Sequence, residues 1–226
     1  IDGAAYSSRV WHNLIPMIRG YGGDAWEQNG NVTINSPEAV KAVQLFHDMV
    51  YRDKSVVPPG DLSDFYAGSA AMTTGQISRV SKLKDVTWEW DIAPLPQGPA
   101  GSTSSNTIGQ AAVVAFSAGK HSEAASAFVA FMTNKKNVAQ MAKYWPPARK
   151  SIMDSSEFVT GNPDISMESM ISTVIPGLKT GQVLPYHEKF PQISLAATGE
   201  FDRLWNKDAD VKSILDDLAK AIKAQM

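Results

Sequence analysis

The pattern of hydrophobic and polar positions predicts helices along most of the chain. The clearest begins at Ser36-Pro37-Glu38, where Ser36 can accept hydrogen bonds from free N–H groups, Pro37 suits the first helical position and Glu38 complements the dipole. Apolar residues then recur at helical spacing, so this helix packs by one face and ends near Arg52. Further helices are predicted at 10–18, interrupted by Pro16, and at 76–83, 122–132, 134–143, 167–176, 194–205 and 210–225.

Shorter stretches between these helices have the patterns of strands and turns. Residues 87–92 alternate cleanly, with the tryptophans and the isoleucine on one face and the two acidic residues on the other. Strands are also predicted at 1–7, 70–73 and 108–116, and Asn29-Gly30 predicts a hairpin turn. Strands that alternate with helices indicate a layered α/β fold.

Composition narrows the classes of function. The 226 residues carry a net charge of −2, so no basic field favours binding to nucleic acid. The absence of cysteine excludes disulfides, thiolate metal sites and cysteine nucleophiles. The longest apolar runs fall short of the roughly 20 residues that span a bilayer. Because the chain starts without an initiator methionine or a signal-like segment, we expect it to be a fragment or a processed form.

Motifs of the common catalytic classes are not found in the sequence. The four histidines lack metal-ligand spacing, and neither a Gly-x-Ser-x-Gly elbow nor a glycine-rich phosphate loop occurs. Glu89 and Asp91 could be pictured as a glycosidase pair, but the predicted strand places both on one solvated face. We therefore expect a protein that is not an enzyme and that uses no cofactor or metal.

A series of motifs, weak one by one, occurs in a fixed order over nearly the whole chain. In order they are Pro16 with Gly22-Gly23, Asn35-Ser-Pro-Glu-Ala-Val-Lys-Ala42, Phe65-x-x-Gly-x-Ala-Ala-Met72 with Gly75, Trp90-Asp-Ile-Ala-Pro-Leu-Pro-x-Gly-Pro99, Ile108-Gly109, Glu123-Ala-Ala125 and Pro147-Ala-Arg-Lys-Ser151. Their joint order and spacing resemble family 1 of the extracellular solute-binding proteins, the maltodextrin- and sugar-binding type that serves bacterial ABC importers.

The resemblance implies an α/β fold, a type II periplasmic-binding-protein-like lobe with a mixed sheet flanked by helices. In that family two such lobes hold the solute between them. Residues 1–111 and 152–226 would form the C-terminal lobe, and 112–151 would return to an N-terminal lobe and hinge that this chain lacks. The implied location is extracytoplasmic, with the membrane reached only through an anchor outside this chain.

The implied function is capture of a mono- or oligosaccharide and its delivery to a membrane permease. Sugars bind to flat aromatic rings and to paired polar groups. The residues that match this need are Trp11 and His12 after the first strand, Gly75, Gln76, Ser78 and Arg79 in a turn that opens a helix, Trp145 after Tyr144, and Tyr186 with His187. Each aromatic ring could instead be a packing residue, and each polar one a surface residue.

Two other classes of function stay open from the sequence alone. A carbohydrate-active enzyme or its accessory domain could use the same aromatic residues as sugar subsites. An interaction module, such as a sensor domain, would form a stable complex without sugar. Within the favoured class the solute could also be a polyol, a glycerophosphodiester or a peptide.

Overall fold

A computed structural model of the chain describes residues 1–3, 10–101, 106–109 and 111–226. In chain order its regular elements are α1 (Val10–Gly20), α2 (Pro37–Tyr51), a 3-10 helix (Ile77–Leu83), β1 (Thr107–Ile108), α3 (Ser122–Met132), α4 (Lys135–Met141), α5 (Lys150–Met153), α6 (Ser156–Gly161), α7 (Met167–Ser169), a π-helix (Met170–Val174), α8 (Ile175–Thr180), β2 (Gln182–Val183), α9 (Phe190–Arg203) and α10 (Val211–Gln225).

These elements form two compact units. Unit 1 consists of Ile1–Thr74, Leu95–Gly109 and Thr180–Met226, and unit 2 of Gly75–Pro94 and Gln110–Lys179. The predicted division differs from these units, because it assigns 1–111 and 152–226 to one lobe and lets 112–151 return to another. That second lobe is not described by this structure, so the lobe assignment stays a prediction.

Unit 1 is built around one hydrophobic core, to which α1, α2, α9 and α10 each contribute an apolar face. Helix α10 shows how the sequence produces this face. Its buried residues recur at intervals of three and four and are Val211, Ile214, Leu215, Leu218, Ala219 and Ile222. The Asp210 side chain caps the same helix by accepting a hydrogen bond from the Ser213 backbone N–H at 3.0 Å.

Unit 2 has a smaller core. Its buried members are Val80, Ala142, Ile152, Phe158, Ile165 and Met170. Trp90 and Ile92 pack against this cluster while only partly buried. Helix α3 buries none of its residues, so the apolar side of this helix is left facing outward.

The sheet found in the described residues is smaller than the sequence predicts. Strands β1 and β2 pair in parallel, Thr107 with Gln182 and Ile108 with Val183. The strands predicted at 70–73 and 87–92 are wrong, and the one predicted at 108–116 is reduced to Ile108 at its start. A strand needs a neighbour that pairs with its backbone groups along its length. Among the described residues, segment 70–73 has one such hydrogen bond, from the Asp2 N–H to the Met72 carbonyl, and segment 87–92 has none to a neighbouring strand. Residues 4–7 of the predicted first strand lie outside the described residues.

The helix predictions fared better. The helix predicted to begin at Ser36-Pro37-Glu38 and to end near Arg52 is confirmed within a few residues, as are those predicted at 122–132, 134–143 and 210–225. The helix predicted at 76–83 is a 3-10 helix. Pro16 does not interrupt α1, and Pro176 does not end the helical run after Met167. Just before Pro176 the run widens into a π turn, in which the Ile175 N–H donates to the Met170 carbonyl; proline disfavours a regular α turn there. No helix in the described part of the chain has the length and hydrophobicity that crossing a bilayer demands.

Candidate solute-binding site

Trp11 lies in an aromatic cluster inside unit 1. Its ring is 5.1 Å from that of Phe201 and 6.1 Å from that of Trp26, both in edge-to-face geometry, and 6.1 Å from the Phe190 ring. Only 4% of Trp11 is exposed. The ring is therefore part of the core, and it leaves little area that a solute could reach. A direct contact between Trp11 and a solute stays a prediction.

The predicted Tyr186-His187 pair lies close to this cluster. The indole Nε1 of Trp26 donates a hydrogen bond to the Tyr186 carbonyl at 3.3 Å, whereas 82% of Tyr186 is exposed. His187 is half-buried, and its Nδ1 accepts a hydrogen bond from the Lys189 backbone N–H at 3.1 Å. In the neutral imidazole the proton is then on Nε2. The hydrogen bond from Trp26 therefore holds the backbone of Tyr186, while its phenol ring is exposed to solvent.

Arg19 connects the end of α1 to β2. Its guanidinium is buried, and Nε donates to Asp24 Oδ2 at 2.9 Å. Nη2 donates to the Val183 carbonyl at 2.9 Å, and Nη1 approaches the Gln182 carbonyl at 3.5 Å. A buried charge needs an opposite charge such as Asp24, and its N–H groups need hydrogen-bond acceptors such as these carbonyls. Sequence reasoning missed Arg19; the available signal was a single arginine at the end of an apolar helix, five residues before an aspartate.

His12 lies in the first turn of α1, and its neighbour Asn13 contacts the segment that ends at Thr74. The Thr74 hydroxyl donates to Asn13 Oδ1 at 2.9 Å, and the Asp2 N–H donates to the Met72 carbonyl at 3.0 Å. Gly75 is the next residue in the chain after Thr74. The structure thus brings the first turn of α1 and the approach to Gly75 together within unit 1.

The remaining candidates belong to unit 2. Gln76 is exposed and precedes the 3-10 helix in extended conformation, while Ser78 and Arg79 are half-buried on that helix. Trp145 is 54% exposed, and its ring lies 5.9 Å from that of Tyr144 in edge-to-face geometry. Both groups flank one core, because Val80 of the 3-10 helix and Ala142 after α4 belong to the same buried cluster.

The candidate residues are therefore divided between the two units. Trp11, His12, Tyr186 and His187 belong to unit 1, and Gly75, Gln76, Ser78, Arg79 and Trp145 to unit 2. Within unit 1, Trp26 joins Trp11 to the Tyr186 backbone. A shared cleft for all nine residues stays a prediction.

Asp91, one of the two acidic residues of a possible glycosidase pair, has a structural partner. The buried Ser169 hydroxyl donates to Asp91 Oδ1 at 2.6 Å, and the Ile92 N–H donates to the same oxygen at 2.7 Å. These two hydrogen bonds, the Ser169 bond foremost, hold the pKa of Asp91 below its usual range. In the described part of the chain no three acidic or histidine side chains come together as a metal site would need.

A family model for bacterial extracellular solute-binding proteins matches residues 2–166. The chain belongs to this family. Among curated proteins, an arabinooligosaccharide-binding protein of Halalkalibacterium halodurans is 24% identical over 166 residues, which are 66% of this chain and 37% of that protein.

Solved structures share the fold. An ABC substrate-binding protein of Listeria monocytogenes in complex with cycloalternan matches with a TM-score of 0.74 and 20% identity, over 97% of this chain and 56% of that one. The maltose-bound MalE3 of T. maritima matches with a TM-score of 0.69 and 17% identity, over 100% of this chain and 60% of that one. UgpB of Mycobacterium tuberculosis in complex with glycerophosphocholine matches with a TM-score of 0.73 and 17% identity, over 95% of this chain and 55% of that one. The predicted class, a type II periplasmic-binding-protein-like α/β fold, is confirmed.

This chain spans little more than half the length of these solved structures, and about a third of the curated relative. The relatives are named for what they bind and not for a reaction. Sequence reasoning therefore gave the right family and fold class, although the sheet in the described residues is smaller than predicted.

Proposed function

We propose that this chain is part of the substrate-binding component of a bacterial ABC importer that captures a carbohydrate. The observation that carries the proposal is the family match over residues 2–166. The chemistry of the relatives supports it, since one is named as an arabinooligosaccharide-binding protein and the structures of two others contain cycloalternan or maltose. UgpB with glycerophosphocholine keeps a glycerophosphodiester as the second choice of solute.

In this proposal residues 1–111 and 152–226 are the C-terminal lobe, and 112–151 returns to an N-terminal lobe. Exposed apolar residues of this segment support the second part, and we call them the exposed apolar surface of unit 2. They are Val113, Val114 and Phe116 before α3, and Phe128 and Phe131 within α3. Soluble proteins seldom leave so many large apolar side chains of one segment in water, so a further part of the protein would cover them.

The solute would lie in the cleft between the lobes, against the exposed rings of Tyr186 and Trp145 and the polar groups of the other candidate residues. A solute that touches both lobes favours the closed state, because it gains contacts there that the open state does not offer. A membrane permease would then recognise the closed form. The family's extracellular character agrees with an extracytoplasmic location, and an anchor outside this chain would hold the protein at the membrane.

We further propose that the protein does not transform its solute. The relatives named above are binding proteins, which favours a receptor over a carbohydrate-active enzyme or an interaction module. An assay for reducing sugar released from maltotetraose and from arabinotriose checks this point. Turnover that disappears when Glu89 and Asp91 are replaced would favour the enzyme.

Calorimetric titration tests the main proposal. The intact protein is expected to bind one molecule of maltotetraose or arabinotriose, with glycerophosphocholine as the third probe. The 226-residue chain alone is expected to bind the same probe weakly or not at all, because in this proposal the second lobe supplies about half of the contacts. Tight binding of one sugar by this chain alone would contradict the two-lobe arrangement, and no binding by the intact protein would contradict the function.

A further inference from the structure

Strand β2 and the loop after it are held by their carbonyl groups. The carbonyls of Gln182 and Val183 face the Arg19 guanidinium, and the Tyr186 carbonyl accepts from the Trp26 indole. The Gln182 N–H donates to the Asn106 carbonyl at 2.9 Å. Three of the five residues from 182 to 186 thus have their backbone fixed by side chains of α1 and the following turn.

The side chain at the end of this loop is free of that packing. Tyr186 is 82% exposed, although its own carbonyl accepts from a buried indole and the strand three residues earlier is held by a buried cation. An exposed ring on a fixed backbone loses little conformational freedom when a solute stacks on it, which favours binding.

The chemistry of Arg19 suits this task in a way that lysine would not. A guanidinium presents several N–H donors in one rigid plane, so it can serve the Asp24 carboxylate and backbone carbonyls together. A lysine could keep the ion pair with Asp24, but its single nitrogen has no fixed fork. Asp24 in turn is held by the Ala25 N–H, which donates to Oδ1 at 2.8 Å.

We propose that Arg19 is a positioning residue for solute binding: it fixes the carbonyls of Gln182 and Val183 and, with Trp26, sets the place of the Tyr186 ring. This inference rests on the proposed function, because the ring is useful only if a solute stacks on it. Arg19 itself does not touch the solute.

Hydrogen exchange of the intact protein tests the positioning without any sugar. In Arg19→Lys we expect the amides of residues 182–189 to exchange about tenfold faster, while the amides of α2 keep their rates. Arg203→Lys is the matched control, because Arg203 pairs with Glu200 and Asp217 on the exposed side of α9 and α10. Unchanged exchange at 182–189 in Arg19→Lys would overturn the proposal, whatever the sugar measurements give.

A double-mutant cycle tests the consequence for binding. Affinities for maltotetraose and arabinotriose are measured for the wild type, Arg19→Lys, Tyr186→Ala and the double variant. We expect Arg19→Lys to weaken sugar binding about tenfold when Tyr186 is present and hardly at all in the Tyr186→Ala background, because Arg19 affects binding only by positioning the Tyr186 ring. Equal weakening in both backgrounds, or no effect of Tyr186→Ala, would overturn the proposal. Failure of the wild type to bind either sugar would instead count against the proposed function, and the exchange experiment would still decide the role of Arg19.

Discussion

The backbone of Gly98 lies directly against Gly20. A Cβ placed on Gly98 would be 2.0 Å from the Gly20 carbonyl oxygen, and the Ala100 N–H donates to that same oxygen at 3.2 Å. Because Gly20 is the last residue of α1, this contact seats the proline-rich segment 95–101 on the end of that helix. The position accepts no side chain.

We expect Gly98→Ala to destabilise unit 1 by about 2–4 kcal/mol, since the methyl group can be accommodated only if the backbone moves. Urea unfolding gives the free energy. Gly199→Ala is the control: nothing lies within 4 Å of a Cβ there, and the position is inside α9. That variant should be unchanged or more stable by about 0.5–1 kcal/mol. Equal stabilities of Gly98→Ala and the wild type would show that the segment is not packed on α1.

Local signals in the sequence were sufficient to find the longer helices, such as α2, α3 and α10. Ser36 accepts the capping hydrogen bond from the Ala39 N–H, as the Ser36-Pro37-Glu38 motif predicts. The Asn29-Gly30 turn is also found, with Gly30 at a φ of +84° and a bridge between Trp26 and Val32. Both depend on residues within a few positions of each other, so the sequence pattern contains the whole interaction.

Pairing and burial depend on distant residues and were predicted less well. The alternation at 87–92 is real, but Trp90 and Ile92 pack on the core of unit 2, and the described residues offer them no neighbouring strand. For the candidate site, the sequence could propose aromatic rings but could not distinguish the buried ring of Trp11 from the exposed ring of Trp145. Which rings lie in the core is decided by partners such as Phe201, 190 residues further along the chain.

The difference between Trp11 and Trp145 leads to opposite expectations for their alanine variants. Trp11→Ala should lower the free energy of unfolding by about 3–5 kcal/mol, because it empties a site surrounded by Trp26, Phe190 and Phe201. Trp145→Ala should change it by less than about 1 kcal/mol, because that ring is largely exposed. Urea unfolding of both variants checks the pair.

Affinity should follow the reverse order. In the proposed site an exposed ring contributes stacking area, so Trp145→Ala in the intact protein should weaken oligosaccharide binding about tenfold or more. Leu62→Ala, at an exposed position outside the candidate site, should leave the affinity unchanged. A Trp145→Ala protein that binds like the wild type would remove this residue from the site.

The hydrogen bond between Ser169 and Asp91 should make stability depend on pH in a defined direction. Because the folded pKa of Asp91 is lowered, the ionised form stabilises the fold above the unfolded pKa of about 3.9, and this contribution is lost as the pH falls through the folded value. Ser169→Ala should therefore cost about 1 kcal/mol at neutral pH, and the difference from the wild type should shrink below about pH 4. Urea unfolding across this range measures the trend.

Asp91→Asn provides the control, because asparagine keeps an acceptor oxygen but cannot ionise. In that background the cost of Ser169→Ala should not vary with pH. A cost that is constant with pH in the wild-type background would mean that the ionisation of Asp91 is not coupled to Ser169.

The exposed apolar surface of unit 2 gives the last prediction. Phe128 and Phe131 are exposed and three residues apart in α3, so they share one face of the helix. If the surface is normally covered by another part of the protein, the 226-residue chain alone should self-associate at about 10–100 µM and bind a hydrophobic dye.

Sedimentation velocity measures the association, and Phe128→Lys with Phe131→Glu should abolish it without changing the net charge. Leu62→Glu, an exposed position in unit 1, should leave it intact. A wild-type chain that stays monomeric and binds no dye would mean that this face is stable in water and needs no second lobe to cover it.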